Sequence, residues 1–308
     1  MAYRTTTRGK RSYTRKTYGR KSGGRKSRRS YTKRRPYRRP ARPSKKATLN
    51  LTSKKKRNGM LAWTNSTTGG VQQALAPGAA FVNGNSTGRF LFCPTGMDLS
   101  NTGTNPNLTI NVAQRTATTC FMKGFSEHLR IQTSSGLPWF HRRICFTSKN
   151  TLFNNNPVGT TPWTNCLEVS SGMQRLMFNM GLNNMAGAIS NFEGVIFKGL
   201  EGQDWNDSLI APVDTSRVTL KFDKTWTIKS GNQAGTVVER KLWHPMNKNL
   251  VYDDDEAGSG ETTSFYSVTS KAGMGDYYVY DIISPGIGGG AVDQCVINPN
   301  STMYWHER

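Results

Sequence analysis

The chain is short of hydrophobic runs, cysteines and histidines, and each scarcity excludes a class of protein. No stretch approaches about 18 consecutive apolar residues, so the sequence predicts no membrane-spanning helix. The N-terminus is basic but has no apolar segment behind it, so we expect no secretory signal. Neighbouring cysteines are never closer than 21 residues in the set Cys93, Cys120, Cys145, Cys166 and Cys295. This spacing fits neither a disulfide framework nor a Cys-x-x-Cys metal site, and it predicts reduced, mostly buried thiols in a cytosolic or nuclear protein.

Catalytic motifs are also absent. The sequence contains no Gly-x4-Gly-Lys-Ser/Thr phosphate loop, no Gly-x-Ser-x-Gly nucleophile elbow and no His-Glu-x-x-His motif. Its four histidines form no His-x-His pair of the kind that a replication-initiator endonuclease uses to hold its metal. We therefore expect a protein that is not an enzyme, with no catalytic residue, no cofactor and no metal site.

Acidic residues are missing from the first part of the chain, and this absence divides the molecule in two. Residues 1–57, here called the basic arm, hold 24 of the 42 Lys and Arg residues and no acid. Residues 58–308, here called the body, hold the other 18 bases and all 19 acids, a net charge of −1. The arm has only three large aliphatic residues, Met1, Leu49 and Leu51, too little apolar surface to offset its conformational entropy. We predict that the arm is disordered on its own.

A polycation of this kind is typical of nucleic-acid binding, because each Lys or Arg that neutralises a phosphate releases a counterion. Tyrosines interleaved with the cations offer rings that stack on unpaired bases, which favours single strands over duplexes. The candidate nucleic-acid-binding residues are the cations of the arm and four of its tyrosines: Arg4, Arg8, Lys10, Arg11, Arg15, Lys16, Arg20, Lys21, Arg25, Lys26, Arg28, Arg29, Lys33, Arg34, Arg35, Arg38, Arg39, Arg42, Lys45, Lys46, Lys54, Lys55, Lys56, Arg57, Tyr13, Tyr18, Tyr31 and Tyr37.

Two clusters within the arm also fit a nuclear import signal. The first is Lys33, Arg34, Arg35, Arg38 and Arg39, and the second is Lys54, Lys55, Lys56 and Arg57. Such clusters also arise by chance in a segment of this charge density, so nucleic-acid binding alone is the alternative interpretation.

The body shows the period-two alternation of half-buried β-strands. The clearest case lies at 217–228, where polar residues alternate with Val218, Leu220, Phe222, Trp226 and Ile228. Turn-forming residues separate most of the other predicted strands, at 90–93, 108–112, 118–121, 125–133, 139–147, 192–197, 236–243, 277–283 and 303–305. One short helix is predicted near 172–180 from a 3.6-residue period of Met and Leu. Residues 58–308 are therefore predicted to be all-β, an antiparallel eight-stranded jelly-roll sandwich with long loops.

Two clusters of the body have a chemical alternative to a structural role. His141 and Cys145 lie on one face of a predicted strand, but two ligands make only a weak zinc site. The run Asp253–Glu256 offers oxygen ligands for calcium, or an electrostatic partner for a basic segment. Consecutive acids lack the alternating spacing of calcium loops, so a solvated turn is the favoured interpretation. The tryptophans and the Met residues of 173–180 are interpreted as core or interface.

Several runs in residues 198–308 are specific enough to compare with a known family. They are Asp204–Asp207, Ala211–Thr215, Trp243–Glu256, Gly273–Tyr278 and Ser301–Glu307. In this order they closely resemble the capsid protein of genomoviruses, of the gemycircularvirus type. Between residues 58 and 197 the resemblance is chiefly at Trp139–Phe146, and the arm is similar only in composition.

The resemblance implies a single-jelly-roll coat protein of a small circular single-stranded DNA virus. Such a protein forms an icosahedral T=1 shell of about 60 copies, assembled in the host nucleus. The implied partners are the circular single-stranded DNA genome, further copies of the chain and a host nuclear import receptor, and no membrane. The implied locations are the virion and the host nucleus. The arms of such a shell would carry about 1,440 positive charges, which match a genome on the order of 1.5–2.5 thousand nucleotides.

Composition by itself leaves two rivals. A chromatin-like or ribosomal protein would share the basic arm and bind nucleic acid without catalysis. A nuclease without the usual motifs would use the arm as an anchor. Monomeric behaviour without closed particles favours the first rival, and divalent-metal-dependent cleavage that one carboxylate substitution abolishes favours the second.

Overall fold

The computed structural model describes residues 44–101, 105–154 and 163–308, in which Lys45–Arg308 forms one compact unit. The described helices are α1 (Lys45–Thr52), α2 (Ala186–Ile196) and two short 3-10 helices at Thr151–Phe153 and Met180–Asn183. The described strands are β1 (Lys54–Met60), β2 (Ala62–Ser66), β3 (Gln72–Pro77), β4 (Ala80–Asn83), β5 (Gly88–Phe92), β6 (Ser100–Asn101), β7 (Asn105–Pro106), β8 (Thr119–Thr133), β9 (Trp139–Ser148), β10 (Leu167–Val169), β11 (Gly172–Met177), β12 (Thr219–Ile228), β13 (Val237–Val251), β14 (Asp255–Ala257), β15 (Gly260–Thr262), β16 (Asp276–Pro285) and β17 (Gln294–Glu307).

Two antiparallel sheets contain the longest strands. The large sheet has the order β1-β17-β8-β13, with β4 paired to the first part of β17. The second sheet has the order β12-β9-β16-β5. A third sheet, β10-β11-β2-β3, includes one parallel pair between β11 and β2. The prediction of a mostly β fold with antiparallel sheets is confirmed.

The alternation along the long strands arises because the large sheet has one face in the core and one in solvent. Every second residue of β17 is buried, and β8 follows the same rule around one bulge. In β13, which also has one bulge, exposed residues alternate with half-buried or buried ones as far as Met246. Phe125 of β8 meets Phe92 of β5 with 6.0 Å between ring centroids, so the large and second sheets share a hydrophobic core. Tyr280 Oη of β16 donates a 2.8 Å hydrogen bond to Glu193 of α2, so this helix packs on the second sheet.

Most predicted strands are found, and several are longer than expected. The alternating segment 217–228 forms β12, and the predicted strands at 139–147 and 277–283 form β9 and β16. The segments 118–121 and 125–133 are one strand, β8, because the bulge at Gly124 carries the pairing past the break in the pattern. The segments 236–243 and 303–305 are the visible parts of the longer strands β13 and β17.

Three of the predicted elements are wrong. The helix expected near 172–180 is strand β11, whose last five residues are all buried, so that no periodicity separates helix from strand. The strand expected at 192–197 is the end of α2, in which Ala188, Phe192 and Ile196 share one buried face. The strand expected at 108–112 is a loop with Leu108, Ile110 and Val112 exposed.

Residues 45–57 belong to the folded unit, which corrects the expectation of disorder up to residue 57. After α1, strand β1 begins at Lys54 and pairs with β17 from Lys54 opposite Glu307 to Met60 opposite Ser301. The boundary drawn between residues 57 and 58 lies inside this strand. The C-terminal strand supplies hydrogen-bond partners that the segment lacks alone, and so the segment adopts regular structure. The predictions for residues 1–43 lie outside the described residues.

Candidate nucleic-acid interface and buried charge clusters

Most of the predicted nucleic-acid-binding residues, from Arg4 to Arg42, lie outside the described residues, and so does the import cluster Lys33–Arg39. Lys45 and Lys46 begin α1, and the last four cations, Lys54 to Arg57, lie in β1. Lys54, Lys55 and Arg57 are exposed, whereas Lys56 is buried. The described end of the arm thus contains exposed cations, which could contact DNA, and one buried cation, which could not.

The side chain of Lys56 is buried on the core face of the large sheet, although its strand β1 lies at the edge. Its Nζ lies 2.9 Å from Glu307 Oε2 and donates to the Gln114 carbonyl at 2.7 Å and to Thr116 Oγ1 at 2.8 Å. Glu307 also accepts hydrogen bonds from Thr116 Oγ1 and Trp305 Nε1. Burial alone would raise the pKa of Glu307, but these hydrogen bonds lower it. Lys56 therefore stabilises the fold and does not offer an exposed charge to DNA.

The second predicted import cluster, Lys54–Arg57, is fixed in a strand. Its backbone pairs with β17, and Lys56 is buried. An import receptor recognises an accessible basic segment, and the folded chain does not present Lys54–Arg57 in that form.

A second set of buried charges, here called the central charge cluster, joins three sheets through Glu127 of β8, Arg143 of β9, Arg175 of β11 and Asp281 of β16. Arg175 Nε lies 2.7 Å from Glu127 Oε1, and Arg143 Nε lies 2.7 Å from Asp281 Oδ1. Arg143 also contacts Glu127, and Arg175 Nη2 lies 3.3 Å from Asp281 Oδ2. All four side chains are at most 2% exposed, and their two positive and two negative charges cancel.

The electrostatics of the central charge cluster favour a structural role. Burial alone would raise the pKa of Glu127, but Arg143 and Arg175 lower it to about 2. Burial opposes the ionisation of Asp281 too, yet Arg143 and His141 hold its pKa far below the usual value. Carboxylates fixed in the ionised form are poor proton-transfer groups near neutral pH. The cluster links the sheets through charge-assisted hydrogen bonds.

His141 and Cys145, the weak alternative for a zinc site, contact two separate partners. His141 Nε2 lies 2.8 Å from Asp281 Oδ1, and Cys145 Sγ lies 3.7 Å from His244 Nδ1. Burial raises the pKa of the Cys145 thiol to about 12, whereas a zinc ligand must be a thiolate. In the part of the chain that the structure describes, no three His, Cys, Asp or Glu side chains are grouped to hold a metal. All five cysteines are buried and free, as predicted.

The acidic run Asp253–Glu256 is only partly a solvated turn, which corrects the favoured interpretation. Asp254 accepts two hydrogen bonds from Arg115, at 2.6 Å from Nη1 and 3.0 Å from Nη2, and both side chains are buried. The Arg115 guanidinium also lies 3.7 Å from the centre of the Tyr252 ring. Asp253, Asp255 and Glu256 are exposed. The electrostatic partner of this run is therefore an arginine of the same chain.

The solvent face of the large sheet carries basic and aromatic residues that sequence reasoning did not bring together. Its outward positions supply five Lys or Arg, two His, three aromatic residues and one acid: Lys55, Arg57, Lys123, Arg130, Lys241, His128, His306, Phe121, Trp243, Tyr304 and Glu239. The strand alternation was readable for each segment, but only the sheet order places the segments side by side. We call this surface the solvent face below.

The described helices include none that is long and apolar enough to cross a membrane. A scan against protein-family models gave no match to the chain, and a search of curated proteins gave none either.

Proposed function

We propose that the chain is the coat subunit of a small virus with a circular single-stranded DNA genome. About 60 copies assemble into a closed icosahedral shell, and the basic arm packages the genome. Assembly takes place in the host nucleus, where an import receptor delivers the subunit. The observation that carries this proposal is the order of the strands in the two main sheets.

Eight strands make up these two sheets, apart from the short addition of β4. In chain order they are β1, β5, β8, β9, β12, β13, β16 and β17. The large sheet takes the first, eighth, third and sixth of them, and the second sheet takes the fifth, fourth, seventh and second. An eight-stranded jelly roll built from two Greek keys has this order, and viral capsid subunits commonly use that fold. The strand order therefore supports the jelly roll and, through it, the coat-protein proposal.

Exposed apolar side chains on loops are consistent with contacts between copies of the chain. Four of them are at least 80% exposed in the described residues: Ile110, Ile210, Ile287 and Val292. Large apolar side chains in such positions add to the hydrophobic area of an interface when a second subunit covers them.

The uneven distribution of charge along the chain supports the proposal that the basic arm packages the genome. The arm holds 24 Lys and Arg residues without an acid, and the body is nearly neutral. A neutral body allows subunits to pack side by side, whereas a polycationic segment neutralises the phosphates of an enclosed genome. The buried central charge cluster offers no catalytic alternative.

Negative-stain electron microscopy of the purified, nuclease-treated protein tests the proposal. We expect uniform closed particles roughly 20 nm across, the size of a minimal shell. Dispersed monomers that persist with added single-stranded DNA over a range of salt would overturn the proposal and favour the chromatin-like rival. Divalent-metal-dependent DNA cleavage by protein purified without added nuclease, abolished by one carboxylate substitution, would favour the nuclease.

A further inference from the structure

The solvent face concentrates positive charge from the end of the basic arm, Lys55 and Arg57, and from three cations of the nearly neutral body, Lys123, Arg130 and Lys241. Five Lys or Arg side chains point outward from β1, β8 and β13, against the single acid Glu239. That acid lies 3.3 Å from His128, so it offsets one end of the surface only. The other end lies around Lys55, Arg57 and Lys123. No outward position of β1, β17, β8 or β13 at this end is occupied by an acid.

Two aromatic rings meet at the centre of this face. Trp243 of β13 and Tyr304 of β17 flank the middle strand β8, and their ring centroids lie 5.8 Å apart. They meet across Gly124, where a Cβ atom would lie only 2.6 Å from Trp243 Cζ2. The missing side chain thus lets the indole lie over β8. Trp243 remains 48% exposed, which is unusual for a tryptophan unless a ligand or a second protein covers its ring.

A second ring pair lies on the same face, toward β1. Phe121 and His306 have centroids 5.9 Å apart, and Lys55 is paired directly opposite His306 in the ladder. Partial burial lowers the pKa of His306, and the positive charges of Lys55 and Lys123 lower it further. The two lysines therefore act on the ring pair as a local positive field, which a polyanion would neutralise.

We propose that the solvent face is a second binding site for single-stranded DNA, separate from residues 1–53. Trp243 and Tyr304 stack on unpaired bases, while Lys55, Arg57 and Lys123 contact phosphates. Aromatic rings on an exposed sheet face are an established platform for unpaired bases, and cations beside them follow the backbone. The inference rests on the proposed function for the identity of the ligand, because the coat subunit encloses single-stranded DNA.

The dimensions of the sheet fit a short oligonucleotide. Four strands at a spacing of about 4.8 Å span about 14 Å, which matches about four stacked nucleotides. The basic residues 1–53 join this sheet covalently at its edge strand β1. A DNA strand that contacts both segments is therefore held by two covalently linked sites, which raises the effective concentration for the second contact.

Binding of a fluorescent oligothymidylate to the full-length chain, measured by anisotropy over a salt series, separates the two sites. Trp243→Ala and Tyr304→Ala should each weaken binding by about 5- to 150-fold, with an unchanged slope of log affinity against log salt. Lys123→Ala should reduce that slope by about one phosphate contact. The matched control is Lys271→Ala, an exposed loop lysine that is not one of the outward residues of the large sheet, which should change neither affinity nor slope.

Photocrosslinking gives a direct readout of position. Oligonucleotides with 5-iododeoxyuridine, irradiated on the full-length chain and digested for mass spectrometry, should attach to the peptides that contain Trp243 and Tyr304. Trp243→Phe keeps an aromatic ring, so it should retain most of the affinity that Trp243→Ala loses. This conservative variant separates stacking from misfolding, since both substitutions remove the same indole contacts in the fold.

The outcomes distinguish the inference from the function on which it rests. Closed particles with normal DNA content, no crosslink on the sheet and unchanged affinity in Trp243→Ala would overturn the second site and leave the coat protein intact. If the full-length chain bound duplex DNA and single-stranded DNA with equal affinity, the proposed stacking of unpaired bases on Trp243 and Tyr304 would be overturned. Crosslinks at Trp243 in a protein that forms no particle would support the site and remove the coat-protein proposal.

Discussion

On the core face of the large sheet, Lys56, Glu127 and Glu307 each contact a group of opposite charge, whereas the solvent face carries five Lys or Arg against one acid. The difference follows from solvation. A charge in the core must be paired because burial removes its water, and a charge in solvent has no such requirement. Pairing on the core face is therefore needed for stability, whereas the cations of the solvent face need no acidic partner and can contact an external anion.

Removing one buried acid is the strongest test of this comparison. Glu127→Gln leaves Arg143 and Arg175 to share the remaining carboxylate, Asp281, inside the central charge cluster. We expect the free energy of unfolding to fall by about 3–5 kcal/mol, because one buried cation loses its counter-charge. Denaturant unfolding followed by circular dichroism measures the change.

Glu239→Gln is the matched control on the solvent face. Glu239 and its partner His128 are both exposed, so the substitution should cost less than about 1 kcal/mol. Similar losses in the two variants would contradict the division of the sheet into a stabilising face and a binding face.

Two truncations test where the arm ends. A chain that starts at residue 54 keeps β1 complete, and we expect it to unfold at nearly the temperature of the full chain. A chain that starts at residue 58 loses Lys56, leaves Glu307 buried without its cation and shortens the ladder with β17. We expect this second truncation to lose about 3 kcal/mol more, measured by thermal unfolding. Equal melting temperatures would mean that Lys54–Arg57 contributes nothing to the sheet.

Lys56→Met in the full-length chain separates the ion pair from the strand. The substitution keeps the backbone pairing of β1 and much of the side-chain volume, so any loss of stability reports the Nζ contacts with Glu307, the Gln114 carbonyl and Thr116 Oγ1. Lys55→Met, one residue earlier and outward-facing, is the control and should leave the melting temperature unchanged.

The sequence predicted correctly those strands whose alternation of apolar and polar residues matches their burial on one face of a sheet. The alternation in β12 and the long strands was visible because one face meets the core and the other meets solvent. The pattern misled where both faces are buried, as in β11, and where only the end of a helix was considered, as in α2. Burial on all sides removes the contrast on which periodicity depends.

Charged residues were harder to place, because the partner of a charge can lie anywhere in the sequence. Lys56 belongs to a basic run, and nothing near it in sequence shows that it forms a buried ion pair with Glu307. Asp254 belongs to an acidic run, and its partner Arg115 lies far upstream. The solvent face was missed for the same reason, since Lys55, Trp243 and Tyr304 become neighbours only through the strand order.

Asp276 is a buried acid that is held by hydrogen-bond donors of Ser267, and it allows a finer test. Its carboxylate accepts hydrogen bonds from the Ser267 backbone N–H at 3.0 Å and from Ser267 Oγ at 2.8 Å. Burial raises the pKa of Asp276 to about 7, because these hydrogen bonds offset only part of the lost solvation. The folded chain therefore retains a proton there that the unfolded chain releases near pH 4.

Asp276 should consequently contribute a fall in the free energy of unfolding as the pH rises from about 4 to about 7, by at most about 1.4 kcal/mol per pH unit, with no further change above. Burial lowers the pKa of His244 to about 4, which adds an opposite slope, so the effect of Asp276 must be isolated by substitution. Asp276→Asn should remove the negative contribution, so its slope between about pH 5 and pH 7 should be more positive than that of the unsubstituted chain, whereas the exposed control Asp255→Asn should leave the slope unchanged. Denaturant unfolding at several pH values measures both slopes. An unchanged slope in Asp276→Asn would mean that this carboxylate is ionised in the fold, like Glu127, although it has hydrogen bonds in place of arginines.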